Sequence, residues 1–561
     1  MLAELRQNQS IRRLIGGVIL YSLIFSGISL WKYDALRYNA RDLAIYNQIV
    51  WQIVSPKSKG ISPKFVDKFY SSIQGHNYLG DHFEPILLLI APLYVVFPNP
   101  RTLLILQAIA LALAAVPLYA ITRLLITNYE LRITNHRTDK LINWLPTLVG
   151  ILWLLHPAVQ NANLYEFHSL SFAPLFLFSL FYSFLKLSNS PTQKLKNRLL
   201  FIISLLLSLS VREDVALITL MLGVVWTYQE IKRRKNILLP FLTSAVSAAW
   251  FFAAQKIIAH FSPSQGYQYR IYYRWLTQFD SIATTVKSIL AHLLTLPNLE
   301  MLIGLALPLL FLCFVKPKWL LLSLPPLAAI VLSKSGGSSL VWQMHYGLLI
   351  LPGIFFALIS YITRLQNTKS LDQNILIIAL LTAALASSIA FGPLPHAVEA
   401  LTSNTGDTGQ RKFLASLPRS ASIISTDRFL ASLSSRSDLS LLLLRLLGVQ
   451  QYGAGPHPVP DYPQYIILHE QDMLSDMVQA RSISWSGPHA GGMRERFRDF
   501  IDKGGYAILK HAGGTALLMR SDTPTKIPPF KFEERNLSNI QGGLELDRLG
   551  SVRLVIDKNE Q

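Results

Sequence analysis

The sequence predicts an α-helical polytopic membrane protein of about eleven transmembrane helices with a C-terminal extracytoplasmic α/β domain. Two observations predict the membrane part: 51% of the 561 residues are hydrophobic, and long apolar runs recur from Ile11 to Phe391. Past Gly392 the composition changes to that of a soluble domain, which predicts the second part. We therefore divide the chain into a transmembrane domain, 1–391, an extracytoplasmic domain, 392–520, and a polar tail, 521–561.

The net charge of +19 belongs to the membrane part. Residues 1–391 hold 33 Lys and Arg against 15 Asp and Glu, whereas residues 392–561 hold 19 against 18. Basic residues of membrane proteins set orientation, and the sequence has no zinc-finger spacing or basic aromatic platform, so we expect no nucleic-acid partner. The single cysteine, Cys313, excludes an internal disulfide.

The first apolar run, Ile11–Leu30, predicts a retained signal anchor, because no small-residue cleavage site follows it. Arg6 precedes the run and Arg12 and Arg13 lie at its start, and these basic residues predict a cytoplasmic N-terminus. We therefore expect an integral protein of the plasma or inner membrane, with a large first outer loop over residues 31–100.

Ten further spans are predicted by apolar length, and the basic loops between them fall on the inner side. The spans are expected at 101–123, 142–157, 170–187, 199–211, 214–230, 237–258, 299–315, 319–333, 343–364 and 371–391. This arrangement requires that Ile86–Phe97 does not cross, and the run is short and bounded by Pro85 and Pro98. We interpret it as a re-entrant or interfacial segment.

The first outer loop contains an amphipathic segment that begins at Asp42. Its apolar residues recur at helical spacing: Leu43, Tyr46, Ile49, Val50 and Ile53. The pattern predicts a helix in the membrane interface that holds a carboxylate at the edge of the hydrocarbon.

The C-terminal part alternates short buried strands with helices, a pattern typical of a small α/β layer domain. Strands are expected at Ala421–Thr426, Tyr465–Leu468, Tyr506–Leu509 and Ala516–Met519, and helices at Ser440–Leu447 and Met493–Asp502.

Ionisable residues cluster at the outer membrane surface of this predicted topology, and such groups are costly at a membrane edge unless they are solvated or paired. We expect them to line a polar cavity; the candidates are Asp42, Asp81, His82, Glu166, His168, Arg212, Glu213, Asp214, Arg270 and His345. Glu166 and His168 are spaced by two residues and no second ligand pair has convincing spacing, so the metal signal is weak.

Each candidate also has a structural interpretation. Asp42 suits the N-cap of the interfacial helix as well as a catalytic role. The run Arg212-Glu213-Asp214 is compatible with an internal salt bridge, and His345 with a helix cap. Arg270 lies in an aromatic cluster that fits either a membrane-interface belt or a grip on a sugar or phosphate.

Several motifs resemble those of a family of predicted membrane proteins. The run Asp42 to Trp51 is similar to its Asp-Leu-x-x-aromatic-x-Gln-x-x-Trp signature, and the other motifs are His82-Phe83-Glu84-Pro85, Glu166-Phe167-His168 and Arg212-Glu213-Asp214-Val215. The resemblance covers about residues 11 to 520. That family is in turn similar to the GT-C membrane glycosyltransferases, so the fold is expected to be GT-C-like.

The resemblance implies a membrane glycosyltransferase that uses a polyprenyl-phosphate sugar donor and an unknown acceptor. Asp42 matches the catalytic acidic residue of the first outer loop. On this hypothesis we expect His82 or Asp81 to position the acceptor or the donor, and Arg212, with Arg270 or His345 in reserve, to stabilise the lipid phosphate; the remaining candidates are assigned to substrate binding. Membrane lipid is an expected partner, no cofactor is certain, and a divalent cation stays open. The sequence departs from the pattern at Arg41-Asp42, where a pair of acidic residues is common.

Two alternatives belong to other classes of protein. A lipid or polymer carrier, or flippase, predicts internal repeats and polar groups through the membrane centre, whereas the clusters lie mostly at the outer face. A non-catalytic membrane scaffold that displays the C-terminal domain is the third hypothesis.

Overall fold

The computed structural model describes residues 9–55, 65–130, 139–189, 194–264, 268–278, 281–334, 343–363, 373–402, 408–451, 455–457, 462–482, 492–521, 542–546 and 552–556. These residues are mostly helical. The helices up to Phe391 are α1 (Gln9–Asp34), α2 (Asp42–Val54), α3 (Ile86–Val96), α4 (Pro100–Leu113), α5 (Ala115–Glu130), α6 (Asp139–Leu155), α7 (Pro157–Tyr165), α8 (Ala173–Asn189), α9 (Lys194–Val211), α10 (Val215–Lys232), α11 (Leu238–Phe261), α12 (Ile282–Leu293), α13 (Leu296–Ala306), α14 (Leu324–Val331), α15 (Leu351–Ile362) and α16 (Gln373–Phe391).

Six helical segments of the described chain are long and apolar enough to cross a membrane, or seven if the bent pair α12 and α13 counts as one span. The six are Gln9–Asp34, Pro100–Thr127, Ser169–Leu187, Val215–Lys232, Leu238–Phe261 and Asn374–Phe391, and each corresponds to a predicted span. By length and composition, the described residues thus contain six or seven candidate membrane-spanning helices and not the predicted eleven.

The first helix shows how such a helix divides its faces. One stripe packs into the bundle and is buried: Leu14, Val18, Tyr21 and Phe25. The opposite face is apolar and more than half exposed: Ile19, Leu20 and Leu23. An apolar face that the protein leaves uncovered is suited to lipid, which agrees with a membrane-spanning role.

The other predicted spans are shorter or interrupted for identifiable reasons. Helix α9 begins with three basic residues within its first five, which shortens its apolar part. Between residues 307 and 322 the chain forms three 3₁₀ turns instead of a continuous helix. Pro308 and Pro317 lack the backbone N–H that a helix interior requires, and Leu310 adopts a left-handed φ of 53°.

The first outer loop folds back on the helical bundle through short elements. After α2 come a 3₁₀ turn (Phe65–Phe69), an antiparallel hairpin of β1 (Tyr70–Ser71) and β2 (His76–Asn77), and a second 3₁₀ turn (Tyr78–Gly80). A Cβ on Gly80 would lie 2.7 Å from the backbone oxygen of Phe261, so glycine is required for this approach to the end of α11. The loop is thereby fixed against the bundle.

The C-terminal part contains a five-stranded sheet in the order β4-β3-β5-β7-β6. Its elements are α17 (Leu394–Thr402), α18 (Thr408–Ala415), β3 (Ile423–Ser425), α19 (Asp427–Leu433), β4 (Leu439–Leu441), α20 (Leu442–Leu447), β5 (Tyr465–His469), α21 (Glu470–Ser482), α22 (Met493–Gly504), β6 (Tyr506–Ala512) and β7 (Thr515–Arg520). Strands β3, β4 and β5 are parallel, whereas β7 pairs antiparallel with both β5 and β6.

The four predicted strands are present with small shifts of their ends, and the helix predicted to begin at Ser440 begins at Leu442 instead. The first two residues of the predicted helix, Ser440 and Leu441, belong to β4, because a continuous leucine run suits a buried strand as well as a helix. The described part of the tail forms a hairpin of β8 (Gly542–Leu546) and β9 (Val552–Ile556).

One hydrophobic core joins the first outer loop to the C-terminal sheet. It includes Leu43 and Ile49 of α2, Tyr94 of α3, Phe429 of α19 and Ile467 of β5, all fully buried. The loop and the C-terminal part therefore pack as one body over the start of α2.

Candidate functional site

Helix α2 begins at an unusual backbone conformation that Glu166 stabilises. Arg41, which precedes Asp42, has a left-handed φ of 80° and provides no side-chain cap. The Glu166 carboxylate accepts hydrogen bonds from the backbone N–H groups of Ala40 (2.8 Å) and Leu43 (2.7 Å). A residue distant in sequence thus satisfies one N–H group of the first turn of the helix and one just before it, and the Asp42 side chain is available for other contacts.

The Asp42 carboxylate lies at one end of a chain of hydrogen bonds. Its Oδ2 is 2.9 Å from His168 Nε2, and Nδ1 of the same imidazole is 3.3 Å from the Tyr46 hydroxyl. That hydroxyl is also 3.0 Å from Glu84 Oε1. The Asp42 side chain is 28% exposed, whereas that of His168 is 9% exposed. The chain therefore connects an accessible carboxylate to a buried one.

A second imidazole covers the first. The ring of His345 stacks on that of His168 with 3.3 Å between centroids, and Tyr346 lies against His345 at 4.0 Å. His345 is buried, and neither of its ring nitrogens has a hydrogen-bond partner among the described residues. Burial, assisted by nearby cationic groups, lowers the pKa of His345 well below its usual value, so this imidazole is neutral at pH 7.

Arg212 places a cation on the same side of the cluster. Its guanidinium lies over the Tyr346 ring, 5.8 Å from the centroid, and forms a bidentate pair with Asp214, in which Nε lies 3.0 Å from Oδ1. The Arg212 side chain is 5% exposed and that of Asp214 is 32% exposed. The predicted internal salt bridge is therefore present, and it holds the arginine beside the aromatic ring.

Glu213 faces the first outer loop. Its carboxylate is 2.8 Å from His82 Nδ1 and accepts a hydrogen bond from the backbone N–H of Phe83 at 3.0 Å. Burial alone would raise the pKa of Glu213, but His82, Arg212 and the N–H of Phe83 together outweigh burial and lower that pKa. The other nitrogen of His82 lies 3.0 Å from the Tyr269 hydroxyl. The imidazole of His82, a predicted site residue, is thus held between Glu213 and Tyr269.

Residues from four predicted motifs are brought together by these contacts. We call the group the Asp42 cluster and define it as Asp42, Tyr46, His82, Glu84, His168, Arg212, Glu213, Asp214 and His345. The convergence predicted for Asp42, His82, His168, Arg212 and His345 is therefore found.

Three of the predicted site residues lie outside this cluster: Glu166, which adjoins it at the start of α2, and Asp81 and Arg270, which lie apart. Asp81 is buried and pairs with His76 Nε2 (2.9 Å) and Gln74 Nε2 (2.6 Å), so its carboxylate stabilises the hairpin. This placement argues against the catalytic role predicted for Asp81, because both oxygens are engaged inside the loop. Arg270 is exposed, and from its 3₁₀ turn the neighbouring Tyr269 contacts the cluster instead.

Three supporting residues were not singled out by the sequence. Tyr46 is four residues after Asp42, a spacing that puts both on one helix face and was a usable signal. Lys32 is fully buried and donates to the carbonyl oxygens of Leu164 and Tyr165. Gln107 accepts a hydrogen bond from the backbone N–H of His168 at 2.8 Å. Lys32 and Gln107 lie in apolar helices, and no pattern in the neighbouring sequence indicates their role.

The donor set of the site does not fit a bound metal. In the part of the chain that the structure describes, no three His, Cys, Asp or Glu side chains are arranged to hold an ion. The carboxylates of the cluster are instead engaged by imidazole, phenol, guanidinium and backbone N–H groups. We assign no residue to a metal.

The fold and the cluster define a class: a mostly helical membrane protein with several apolar helices and a polar cluster where its first loop meets the bundle. More particularly, the chain belongs to the family described as "Predicted membrane protein (DUF2079)", which matches residues 32–506. Among solved structures, the crystal structure of ArnT from Cupriavidus metallidurans in the apo state is similar at 10% identity with a TM-score of 0.46. The match covers 89% of this chain and 97% of that one. No curated protein matches the sequence.

Proposed function

We propose that this protein is a GT-C-type membrane glycosyltransferase that moves a sugar from a polyprenyl-phosphate donor to an acceptor hydroxyl at the outer face of the membrane. The observation that carries the proposal is the Asp42 carboxylate, which is partly exposed, hydrogen-bonded to His168 and placed in one cluster with the Arg212 cation. A base and a cation in one site are what transfer from a phosphate leaving group needs.

In the proposed reaction the acceptor oxygen attacks the anomeric carbon of the donor. A new carbon–oxygen bond forms, the bond between the sugar and the lipid phosphate breaks, and the phosphate leaves with the bonding electron pair. The acceptor proton passes to the Asp42 carboxylate as general base. His168 holds that carboxylate in place through its 2.9 Å hydrogen bond.

Arg212 is proposed to stabilise the negative charge that develops on the lipid phosphate. It is already oriented by Asp214 and Tyr346, so little rearrangement is needed when the phosphate arrives. His82 is proposed to position the substrate, with Glu213 holding its ring. The lipid tail needs only apolar walls, and α3, which begins two residues after Glu84, has an exposed apolar face.

The test is Asp42→Asn in purified protein in lipid, supplied with polyprenyl-phosphate sugars and a panel of lipid and polymer acceptors. Asparagine keeps the size and can still accept a hydrogen bond from His168, but it is a very poor base. We expect transfer to fall roughly 10²–10⁴-fold, the usual contribution of a positioned base. Donor binding should change much less, since the phosphate is held elsewhere.

The outcomes separate the alternatives. Wild-type turnover by the Asn variant would remove Asp42 from the catalytic role. If the wild type forms no product but moves a lipid across vesicles, the protein is a carrier or flippase; if it does neither, a scaffold fits. Glu399→Asn serves as the control, because Glu399 is an exposed carboxylate in α17, outside the cluster.

A further inference from the structure

Glu84 is buried in the Asp42 cluster with too few hydrogen bonds for a carboxylate. It is 2% exposed, and its Oε1 is 3.0 Å from the Tyr46 hydroxyl. The Ser169 hydroxyl is near, but Oε2 has no aligned hydrogen-bond partner among the described residues. An ionised carboxylate can accept about four hydrogen bonds, so this environment suits the neutral acid, which needs fewer.

The charged groups around Glu84 act on its ionisation in both directions. His82 and Arg212 favour its ionised form, whereas Glu213 favours the neutral form. Burial is the largest effect and raises the pKa of Glu84 to about 7. The hydroxyls of Tyr46 and Tyr78 also face this carboxyl group. The acid is therefore protonated through the mildly acidic range.

The protonation state of Glu84 decides the direction of the hydrogen-bond chain. The Tyr46 hydroxyl has one proton, and Glu84 Oε1 at 3.0 Å and His168 Nδ1 at 3.3 Å compete for it, with the hydroxyls of Tyr78 and Ser169 also nearby. If Glu84 is neutral, its O–H donates to Tyr46, and Tyr46 donates to Nδ1. The imidazole then carries its proton on Nε2 and donates it to Asp42.

We propose that Glu84, as a neutral acid, is a positioning residue that acts through Tyr46 and His168 to hold the Asp42 carboxylate ready for its proposed role as base. This inference rests on the proposed function. When Glu84 ionises, Tyr46 donates to it instead, and Nδ1 of His168 loses its donor. The imidazole still donates from Nε2 to Asp42, but Nδ1 is left without a donor, so the ring is less firmly oriented and holds the carboxylate less firmly.

The experiment compares the pH profile of sugar transfer by three forms of the full-length protein in lipid. Transfer by the wild type should fall by about tenfold between about pH 6 and about pH 8.5, as Glu84 loses its proton. In Glu84→Gln the amide N–H₂ replaces the acid O–H at every pH, so this fall should disappear. In Glu84→Met no donor is present, so transfer should be low throughout.

Tyr46→Phe should behave like Glu84→Met, because it removes the hydroxyl that connects the two ends. An alkaline fall in Glu84→Gln equal to that of the wild type would overturn the inference. A Gln variant as weak as the Met variant at every pH would also overturn the inference, since transfer would then need the ionised carboxylate of Glu84 and not the neutral acid.

A second measurement does not depend on transfer. Infrared spectroscopy of the wild type should show a component of the protonated carboxylic acid band that weakens through about pH 7 and is missing from Glu84→Gln, with Glu166→Gln as the control for another buried acid. A band unchanged by Glu84→Gln at about pH 6 overturns the inference even if no sugar is transferred. Absence of transfer with the band present rejects the proposed function instead.

Discussion

At the scale of single residues, the burial of Glu84 couples the stability of the protein to pH. Its pKa is raised from 4.5 to about 7, chiefly because burial disfavours the charged form. A carboxyl group whose pKa is raised on folding contributes its stability fully below the unfolded value. That contribution is lost as the pH rises through about 7, because the buried group must then ionise.

We therefore predict that the wild type loses up to about 3 kcal/mol of unfolding free energy between about pH 4.5 and about pH 8 that Glu84→Gln does not lose. The measurement is the apparent Tm in detergent against pH for both proteins. Parallel curves for the two proteins would contradict the prediction. Titrating groups that do not interact with Glu84 act in both proteins and cancel in the difference, whereas the titration of His82 is coupled to Glu84 and contributes to it.

Single residues also show whether Asp42 is the cap of α2, which was the structural alternative to a catalytic role. Glu166 accepts hydrogen bonds from the backbone N–H groups of Ala40 and Leu43, and the Asp42 side chain is hydrogen-bonded to His168 instead. The sequence pattern favoured capping and catalysis equally, because aspartate at the first residues of a helix suits both. The structure excludes the capping role because Glu166, which is 123 residues from Leu43 along the chain, binds the N–H group that a cap would bind.

At the scale of elements, the start of α2 is tied to the C-terminal sheet through Arg41. Its guanidinium pairs with both oxygens of Asp427 at 2.6 and 3.2 Å, at the first residue of α19. A left-handed conformation of a non-glycine residue costs roughly 1–2 kcal/mol, and this ion pair helps to hold Arg41 in it. The C-terminal part thereby fixes the residue directly before Asp42.

Asp427→Asn should lower stability by about 1–3 kcal/mol, because it leaves a nearly buried arginine poorly paired. It should also lower sugar transfer by about tenfold or more, since a small displacement of the base from its productive position is costly. The measurements are the apparent Tm and the transfer assay.

The matched control is Asp472→Asn, which breaks the pair of Asp472 with Arg428 between α19 and α21. The hydrogen bonds of that pair join two helices of the C-terminal part, so we expect a loss of stability without the same loss of transfer. Equal effects of the two substitutions on transfer would show that α2 does not depend on Arg41.

The elements themselves were predictable to different degrees. Long apolar runs such as Leu238–Phe261 and short buried strands such as Tyr465–His469 appear close to their predicted places, because each has a strong local pattern. The region from Leu307 to Leu322 was not predictable as 3₁₀ turns. Its hydrophobicity resembles that of a span, and the effect of Pro308 and Pro317 depends on what packs against them.

At the scale of the whole molecule, the sequence predicted which residues belong to the site better than it predicted their partners. A shared depth at the outer surface was enough to group Asp42 with His168 and Arg212. The hydrogen bond between Asp42 and His168 joins residues 126 positions apart, and no single-sequence pattern reports such a pairing. For the same reason Asp81, which has the same local signals as His82, could not be recognised as part of the hairpin.

The orientation of the whole chain is the last prediction. We expect the N-terminus inside and residues 392–561 outside, because the basic loops then fall on the inner side. Helix α3, Ile86–Val96, has 11 residues and is about 16 Å long, roughly half of the hydrocarbon thickness, so it should not cross. In a Cys313→Ser background, an impermeant maleimide added to intact cells should label Val459→Cys but not Thr138→Cys, and permeabilised cells should label both. If Ile86–Val96 does cross, every later loop is inverted, and intact cells should label Thr138→Cys but not Val459→Cys. That result would place residues 392–561 inside and contradict the predicted topology.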